Sequence, residues 1–151
     1  MGDIYTVVGR ITATPTIPAT AVLVVAGASK RLLVHEVIVG STSAAAVAGA
    51  EVSGGRPTTS GTGGAAYVPL GIDPAAPAAI FTALTATTPW SAEPTQPATW
   101  DFREGFDALA SLIWVPKQPI LIAVSTRWAV RIEADNSATK VQWTVTLKVE
   151  E

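Results

Sequence analysis

The single histidine, His35, is the first residue to consider for catalysis or metal binding. An imidazole acts as a general base or a ligand when a nucleophile or further ligands lie beside it. The chain has no cysteine, which excludes disulfides, thiolate metal sites and cysteine nucleophiles. Because no second histidine and no local nucleophile accompany His35, the sequence predicts a structural strand residue, no metal site and no catalytic residue.

Three carboxylates, Asp101, Glu104 and Asp107, lie close together near aromatic residues. A carboxylate pair can serve glycoside hydrolysis, and a cluster can hold Ca²⁺. On a strand, however, residues three positions apart point to opposite faces, and Arg103 supplies a counter-charge. We therefore predict intrachain surface pairs here, and neither a cofactor nor an enzyme activity for the chain.

Glycine clusters at Ser53–Gly55 and Gly61–Gly64 resemble phosphate loops only in composition. A phosphate loop needs a following helix and a lysine, and no such motif occurs. We interpret residues 41–66 as a long glycine-rich loop, a flexible arm that could order against a neighbouring subunit. Within it, Ala44–Glu51 remains open between a weak strand and a helix.

Five tryptophans are more than a core of this size requires. Trp128 and Trp143 lie on apolar strand faces and are expected in the core. Trp90 lies in a proline-rich loop, residues 87–98, where an exposed aromatic side chain is typical of an interface anchor. The alternative is that Trp90 folds back on its own domain. The candidate interface residues are Ile4, Tyr5, Ile17, Arg56, Tyr67, Trp90 and Trp100.

The elements that position these residues are predicted from a period-two pattern. Val141–Val149 alternates apolar and polar residues, Trp128–Ile132 does the same, and the turn-prone Ala134–Ala138 separates them. We predict that these strands form a closing hairpin. Further strands are expected at 4–13, 21–26, 31–40, 47–52, 67–70, 79–85, 99–106, 109–115 and 120–124. In the strand at 31–40 the inward face cannot be assigned.

The fold class predicted for residues 1–151 is all-β: a single-domain antiparallel β-sandwich with long glycine- and proline-rich loops. Residues 1–18 would form an N-terminal arm or first strand. The formal net charge of −2 and pI near 5.4 disfavour nucleic-acid binding. No apolar run reaches bilayer length, so we expect no membrane association. The first residues lack a secretory pattern, so we expect the protein to be made in a cytoplasm.

The order of these features resembles a group of small virion proteins of tailed phages, the capsid decoration or cement proteins. The resemblance covers nearly the whole chain and is one of pattern rather than of a diagnostic motif. Its features are Ile4–Val7, Lys30–Gly40, the glycine-rich insert, the turn at Leu70–Pro77, Trp100–Arg103, Trp114–Pro116 and Leu147–Glu151.

The resemblance implies a non-enzymatic jelly-roll protein on the capsid surface of a virion, made in the host cytoplasm. It would bind the major capsid protein, assemble as a homotrimer and reinforce the head. Two alternatives stay open. One is a phage tail, fibre or receptor-binding component, and the other is a carbohydrate-binding jelly-roll module in which Trp90 or Trp100 stacks on sugar rings.

Overall fold

The described part of the protein consists of β-strands joined by loops. A computed structural model describes residues 2–11, 18–41, 50–87, 90–96, 99–106, 110–135 and 142–151. Within these residues there are twelve strands and no helix. The strands are β1 (Ile4–Ile11), β2 (Ala19–Val25), β3 (Leu32–Ser41), β4 (Ala50–Gly55), β5 (Ala65–Tyr67), β6 (Leu70–Gly71), β7 (Thr82–Thr85), β8 (Trp100–Phe106), β9 (Leu112–Trp114), β10 (Ile120–Ile122), β11 (Arg127–Asp135) and β12 (Trp143–Glu150).

The strands form two antiparallel sheets that pack face to face. Sheet A has the order β10-β3-β12-β1-β6, and β9 pairs with β3 beside β10. Sheet B has the order β5-β7-β2-β11-β4-β8. The prediction of an all-β antiparallel sandwich is confirmed, and each predicted strand overlaps a strand of the structure.

The core lies between the two sheets and follows the predicted alternation. On β12, Trp143, Val145, Leu147 and Val149 are buried, and the residues between them are partly exposed. On β11, Trp128, Val130 and Ile132 point into the same core from the other sheet. Both tryptophans expected in the core are there, fully buried.

The predicted closing hairpin is wrong. β11 pairs with β2 and β4 in sheet B, whereas β12 pairs with β1 and β3 in sheet A. The two strands therefore face each other across the core. Alternation shows which side chains of a strand are inward, but it is identical for a hairpin partner and for a strand of the opposite sheet.

A β-bulge explains why the pattern of β3 did not reveal its inward face. Lys148 pairs with Glu36 and Val149 pairs with Val34, so β3 contains one extra residue, His35. Val34 and Val37 are both fully buried, and His35 and Glu36 between them are partly exposed. The inward set of side chains consequently changes parity at the bulge.

The interior strand β4 lies between β11 and β8, so the weak strand predicted at 47–52 overlaps a real one, and the loop predicted from Ser53 onward is wrong for residues 53–55. Gly54 is buried, and a side chain does not fit there, because a Cβ would lie 2.2 Å from Phe102 Cε1 and 2.6 Å from Trp128 Cζ2. Its glycine therefore makes room for two aromatic rings and is no sign of flexibility. Of the segment Ala44–Glu51, which the sequence leaves open between strand and helix, Ala50 and Glu51 are in a strand. The rest of this segment lies outside the described residues.

Candidate interaction surface

The outer face of sheet B is covered by the chain itself, and we call it the covered face. Leu23 and Ala129 pair across β2 and β11, point away from the core and are nevertheless buried, at 0% and 1% exposure. The loop 56–64 and the segment 90–96 lie over this face. Arg127 Nη1 donates to Thr58 O at 2.5 Å, and Thr20 N donates to Glu93 Oε2 at 2.9 Å.

Trp90 is part of this cover. Its indole Nε1 donates to Thr20 O at 2.7 Å, and its ring lies against Gly64. The side chain is half-buried against the core. Trp90 therefore folds back on its own sandwich, which was the alternative to an exposed anchor.

The loop 56–64 is fixed to the segment 90–96 by several hydrogen bonds. Thr58 N donates to Thr95 O at 2.8 Å, and Thr62 N donates to Ala92 O at 2.8 Å. Two of these interactions are between side chains, Thr59 with Thr95 and Thr62 with Ser91. Residues 56–64 of the predicted flexible arm are thus a structural cover.

Arg56 links the two sheets at one side of the sandwich. Its Nε lies 3.3 Å from Asp101 Oδ2, and its Nη1 donates to Leu121 O of sheet A at 3.1 Å. The same carboxylate oxygen accepts a hydrogen bond from Trp128 Nε1 at 2.7 Å. Asp101 therefore satisfies a buried indole, and Arg103 pairs with Glu51, as expected for intrachain surface pairs.

The outer face of sheet A lacks such a cover in the described chain, and we call it the open face. Leu70 pairs with the outward Thr6, Ile113 with the outward Ile38, and Leu121 with the outward Leu33. The residues Leu70, Ile72, Ile113 and Val115 are 54–63% exposed. The other exposed large apolar residues of the described chain lie outside the strands, and they are Val68, Ile80 and Val124.

An open groove of about 440 Å³ runs across this face at the bulge of β3. Its floor contains His35, Glu36 and Lys148, and the last two form an ion pair. Apolar side chains form both margins. They are Ile4 and Ile72 on one side and Val115 on the other.

His35 is hydrogen-bonded to Glu150 at the groove. Its Nε2 lies 2.8 Å from Glu150 Oε2, and Glu150 Oε1 accepts a hydrogen bond from Gly2 N at 2.7 Å. The bond from Gly2, together with the one from His35, lowers the pKa of the Glu150 carboxyl. Both carboxylate oxygens are engaged, so this pair ties the β3 bulge and the start of β1 to β12.

The predicted interface residues are not brought together on one surface. Ile4 lines the groove, but Tyr5 is buried at 1% exposure and donates its hydroxyl to Pro77 O at 3.0 Å. Burial raises the pKa of this phenol, and Glu151 and Asp3 add to the effect. Tyr67 and Trp100 are half-exposed on sheet B, and Ile17 lies outside the described residues.

Sequence reasoning missed the apolar residues of the open face. Leu70 lies at the end of the strand predicted at 67–70 and Ile72 lies in the predicted turn region, and neither pattern indicates an exposed apolar surface. Ile113 lies in a continuous apolar run, where neither face is distinguished by polarity. The pairing of Ile113 with Ile38 across two strands, which the sequence does not reveal, puts it on the outside.

Within the described residues, no three His, Asp or Glu side chains are arranged to hold a metal ion, and no helix is long and apolar enough to cross a bilayer. A comparison with known protein families, curated proteins and solved structures finds no match to this chain. The open face is therefore the candidate functional site on physical grounds alone.

Proposed function

We propose that this protein is a non-enzymatic structural protein that binds the outside of a phage capsid as a decoration protein, with the open face as its contact surface. The observation that carries the proposal is the distribution of exposed apolar side chains. They gather on the outer face of one sheet, while the chain covers the other. Exposed apolar residues grouped in this way are typical of protein–protein contact surfaces.

The strand order supports the jelly-roll part of the proposal. The first four strands alternate between the sheets, as do the last two: β1, β3 and β12 lie in sheet A, and β2, β4 and β11 lie in sheet B, where β8 joins them beside β4. The central orders β1-β12-β3-β9 and β2-β11-β4-β8 are compatible with two interlocked Greek keys, as in the jelly rolls of capsid and lectin domains, and this compatibility supports the proposal. Fold alone does not assign function, so this is support by analogy.

The open face also suits the chemistry of a repeating shell. The charged groups at its groove are engaged within the chain: Lys148 pairs with Glu36, and the Glu150 carboxylate accepts hydrogen bonds from Gly2 and His35, so the groove presents no strong single-sign field to a charged ligand. Modest apolar contacts gain strength when many copies bind one shell. The carbohydrate alternative has less support, because the Trp90 ring is turned onto Gly64 and the aromatic rings of the described chain lie elsewhere than in the groove.

Imaging of purified particles tests the proposal. Cryo-EM of virions from cells that carry the encoding genome should show this sandwich on the capsid surface, with sheet A toward the shell. Density confined to the tail would favour the tail or fibre alternative and overturn the proposal. Absence from the particle would overturn both.

A matched pair of variants tests the contact surface. Ile113→Asp places a charge on the open face, and Val124→Asp places one at a solvent-exposed turn. Ile113→Asp should reduce occupancy on particles at least tenfold, since a charge buried without a partner costs several kcal/mol. Val124→Asp should bind as the parent does. Equal occupancy of both variants would exclude the open face as the contact.

A further inference from the structure

One sheet edge of the sandwich is only partly paired. β1 pairs with β12 along its whole length, but β6 pairs only with Tyr5 and Thr6 on the other side. The chain before β6 passes through Pro69 to β5, which belongs to sheet B. As a result, no strand of the described chain lies beside Val7–Ile11 at this edge.

The direction of the backbone groups along β1 follows from two hydrogen bonds. Ile72 N donates to Ile4 O at 2.8 Å, and Glu151 N donates to Asp3 O at 3.0 Å. Because pairing directions alternate along an antiparallel strand, even-numbered residues of β1 face β6 and odd-numbered residues face β12. Val8 and Arg10 therefore direct their N–H and C=O groups at the unpaired edge.

The other edges carry features that prevent strand addition. Two of them directly follow a proline, β6 after Pro69 and β10 after Pro119, and β9 ends two residues before Pro116. β8 carries charged side chains, and β5 has only three residues. Val7–Ile11 contains no proline, and its single charged side chain, Arg10, is hydrogen-bonded to Gln142 of its own chain.

We propose that Val7–Ile11 pairs with the same stretch of a second copy, antiparallel, across a two-fold axis at Gly9. In this register Val8 lies opposite Arg10 of the second copy, and Arg10 lies opposite its Val8. The contact is isologous and self-complementary, so it closes after two copies. The contact is bounded at its two ends by the β6 strands of the two copies, because the pairing of β6 with β1 ends at Thr6. Val7–Ile11 is therefore just long enough to pair with the same stretch of the second copy.

The proposal is independent of capsid binding. It extends sheet A continuously through two molecules, with both open faces on the same side of the joined sheet. A pairing of this kind produces a dimer, whereas the family resemblance implies a homotrimer. The molecular mass of the protein assembly in solution distinguishes the dimer from the trimer.

Cross-linking tests the register, because the parent chain has no cysteine. In a hydrogen-bonded pair the Cα atoms lie about 5.5 Å apart, within disulfide range. Mixing Val8→Cys protein with Arg10→Cys protein under mild oxidation should give a disulfide-linked dimer. Each variant alone should give at least tenfold less, because like positions lie two residues out of register, about 8–9 Å apart.

Thr6→Cys is the matched control. It lies on the same strand and face but is paired with Leu70, so its mixture with Arg10→Cys should not cross-link. Cross-linking of each variant alone as efficiently as in the mixture would overturn the register. Gly9 is unsuitable for a cysteine, because a Cβ there would lie 2.2 Å from Ala21 O.

A proline variant tests the edge without a cross-link. Val8→Pro removes one N–H that points at the open edge and leaves the ladder to β12 intact, so the fold should persist. Light scattering should show a dimer for the parent and a monomer for Val8→Pro, with unchanged circular dichroism. A parent that is monomeric or trimeric at its highest soluble concentration, or a folded Val8→Pro variant that is still dimeric, would overturn the proposal.

Discussion

The outer face of sheet B is buried under its own chain, whereas that of sheet A presents apolar side chains to solvent. Their central strands differ in the same way. In β2, all residues of Ala19–Val24 are buried, so both faces of the strand are covered. In contrast, β12 alternates strictly between buried and partly exposed residues. A strand that is apolar on both faces needs a cover on both, which the loop 56–64 and the segment 90–96 supply. The comparison teaches that the loops of this protein complete the fold, and that one sheet is left for contacts.

Two leucines, one on each outer face, give the largest expected contrast. Leu23→Ala on the covered face should lower the free energy of unfolding by about 3 kcal/mol, because it leaves a cavity under the loops. Urea denaturation measures this change. If the loss were below about 1 kcal/mol, the cover over Leu23 would have no energetic weight.

Trp90 tests the cover itself. Trp90→Ala removes the hydrogen bond to Thr20 O and the contact with Gly64, and should cost about 2 kcal/mol. Trp90→Phe keeps most of the ring and should recover roughly half of the loss. Thermal unfolding followed by near-ultraviolet circular dichroism reports both variants. A Trp90→Ala protein as stable as the parent would return Trp90 to the role of an exposed anchor.

Glu150 provides a smaller, pH-dependent effect on the open face. Its pKa is lowered from the ordinary value of 4.5, so the ionised carboxylate stabilises the folded state. This contribution is present above about pH 4.5 and is lost as the pH falls through the lowered pKa. Glu150→Gln should reduce stability at pH 7 and flatten its dependence on pH below 4.5. Denaturation curves from pH 7 to pH 3 check this, and parallel curves for the two proteins would contradict it.

Leu70→Ala should have the smallest effect on stability, within about 0.5 kcal/mol, since the side chain is already 61% exposed. Urea denaturation beside Leu23→Ala completes the comparison. A loss as large as that of Leu23→Ala would show that Leu70 is covered within the chain, and the open face would lose one of its margins.

The strands and the core could be predicted from the sequence, because alternation is a local property. Trp143 and Leu147 are buried for the reason their spacing indicates. The β3 bulge was visible only as an ambiguous stretch around His35. Only the second half of β4 could not be predicted, because Gly54 makes room for the rings of distant residues, Phe102 and Trp128, whereas a glycine pair in the sequence alone indicates a loop.

The candidate surface was beyond the sequence for a similar reason. The sequence leaves Trp90 open between an exposed anchor and a residue that folds back on its own domain, and only the hydrogen bond to Thr20 O decides between them. Exposure of Leu70 or Ile113 depends on which strand lies beside it and on whether a loop passes over it. These are pairings between residues far apart in the chain, and period-two patterns do not encode them.

By itself, the sequence determined that this protein is built of strands with one buried side, because hydrophobic burial acts residue by residue along each strand. The tertiary structure decided the rest. It placed β11 and β12 in opposite sheets, folded Trp90 over sheet B and left the outer face of sheet A open. Each of these outcomes is set by long-range contacts, which compete for the same apolar surface and are resolved only when the whole chain packs.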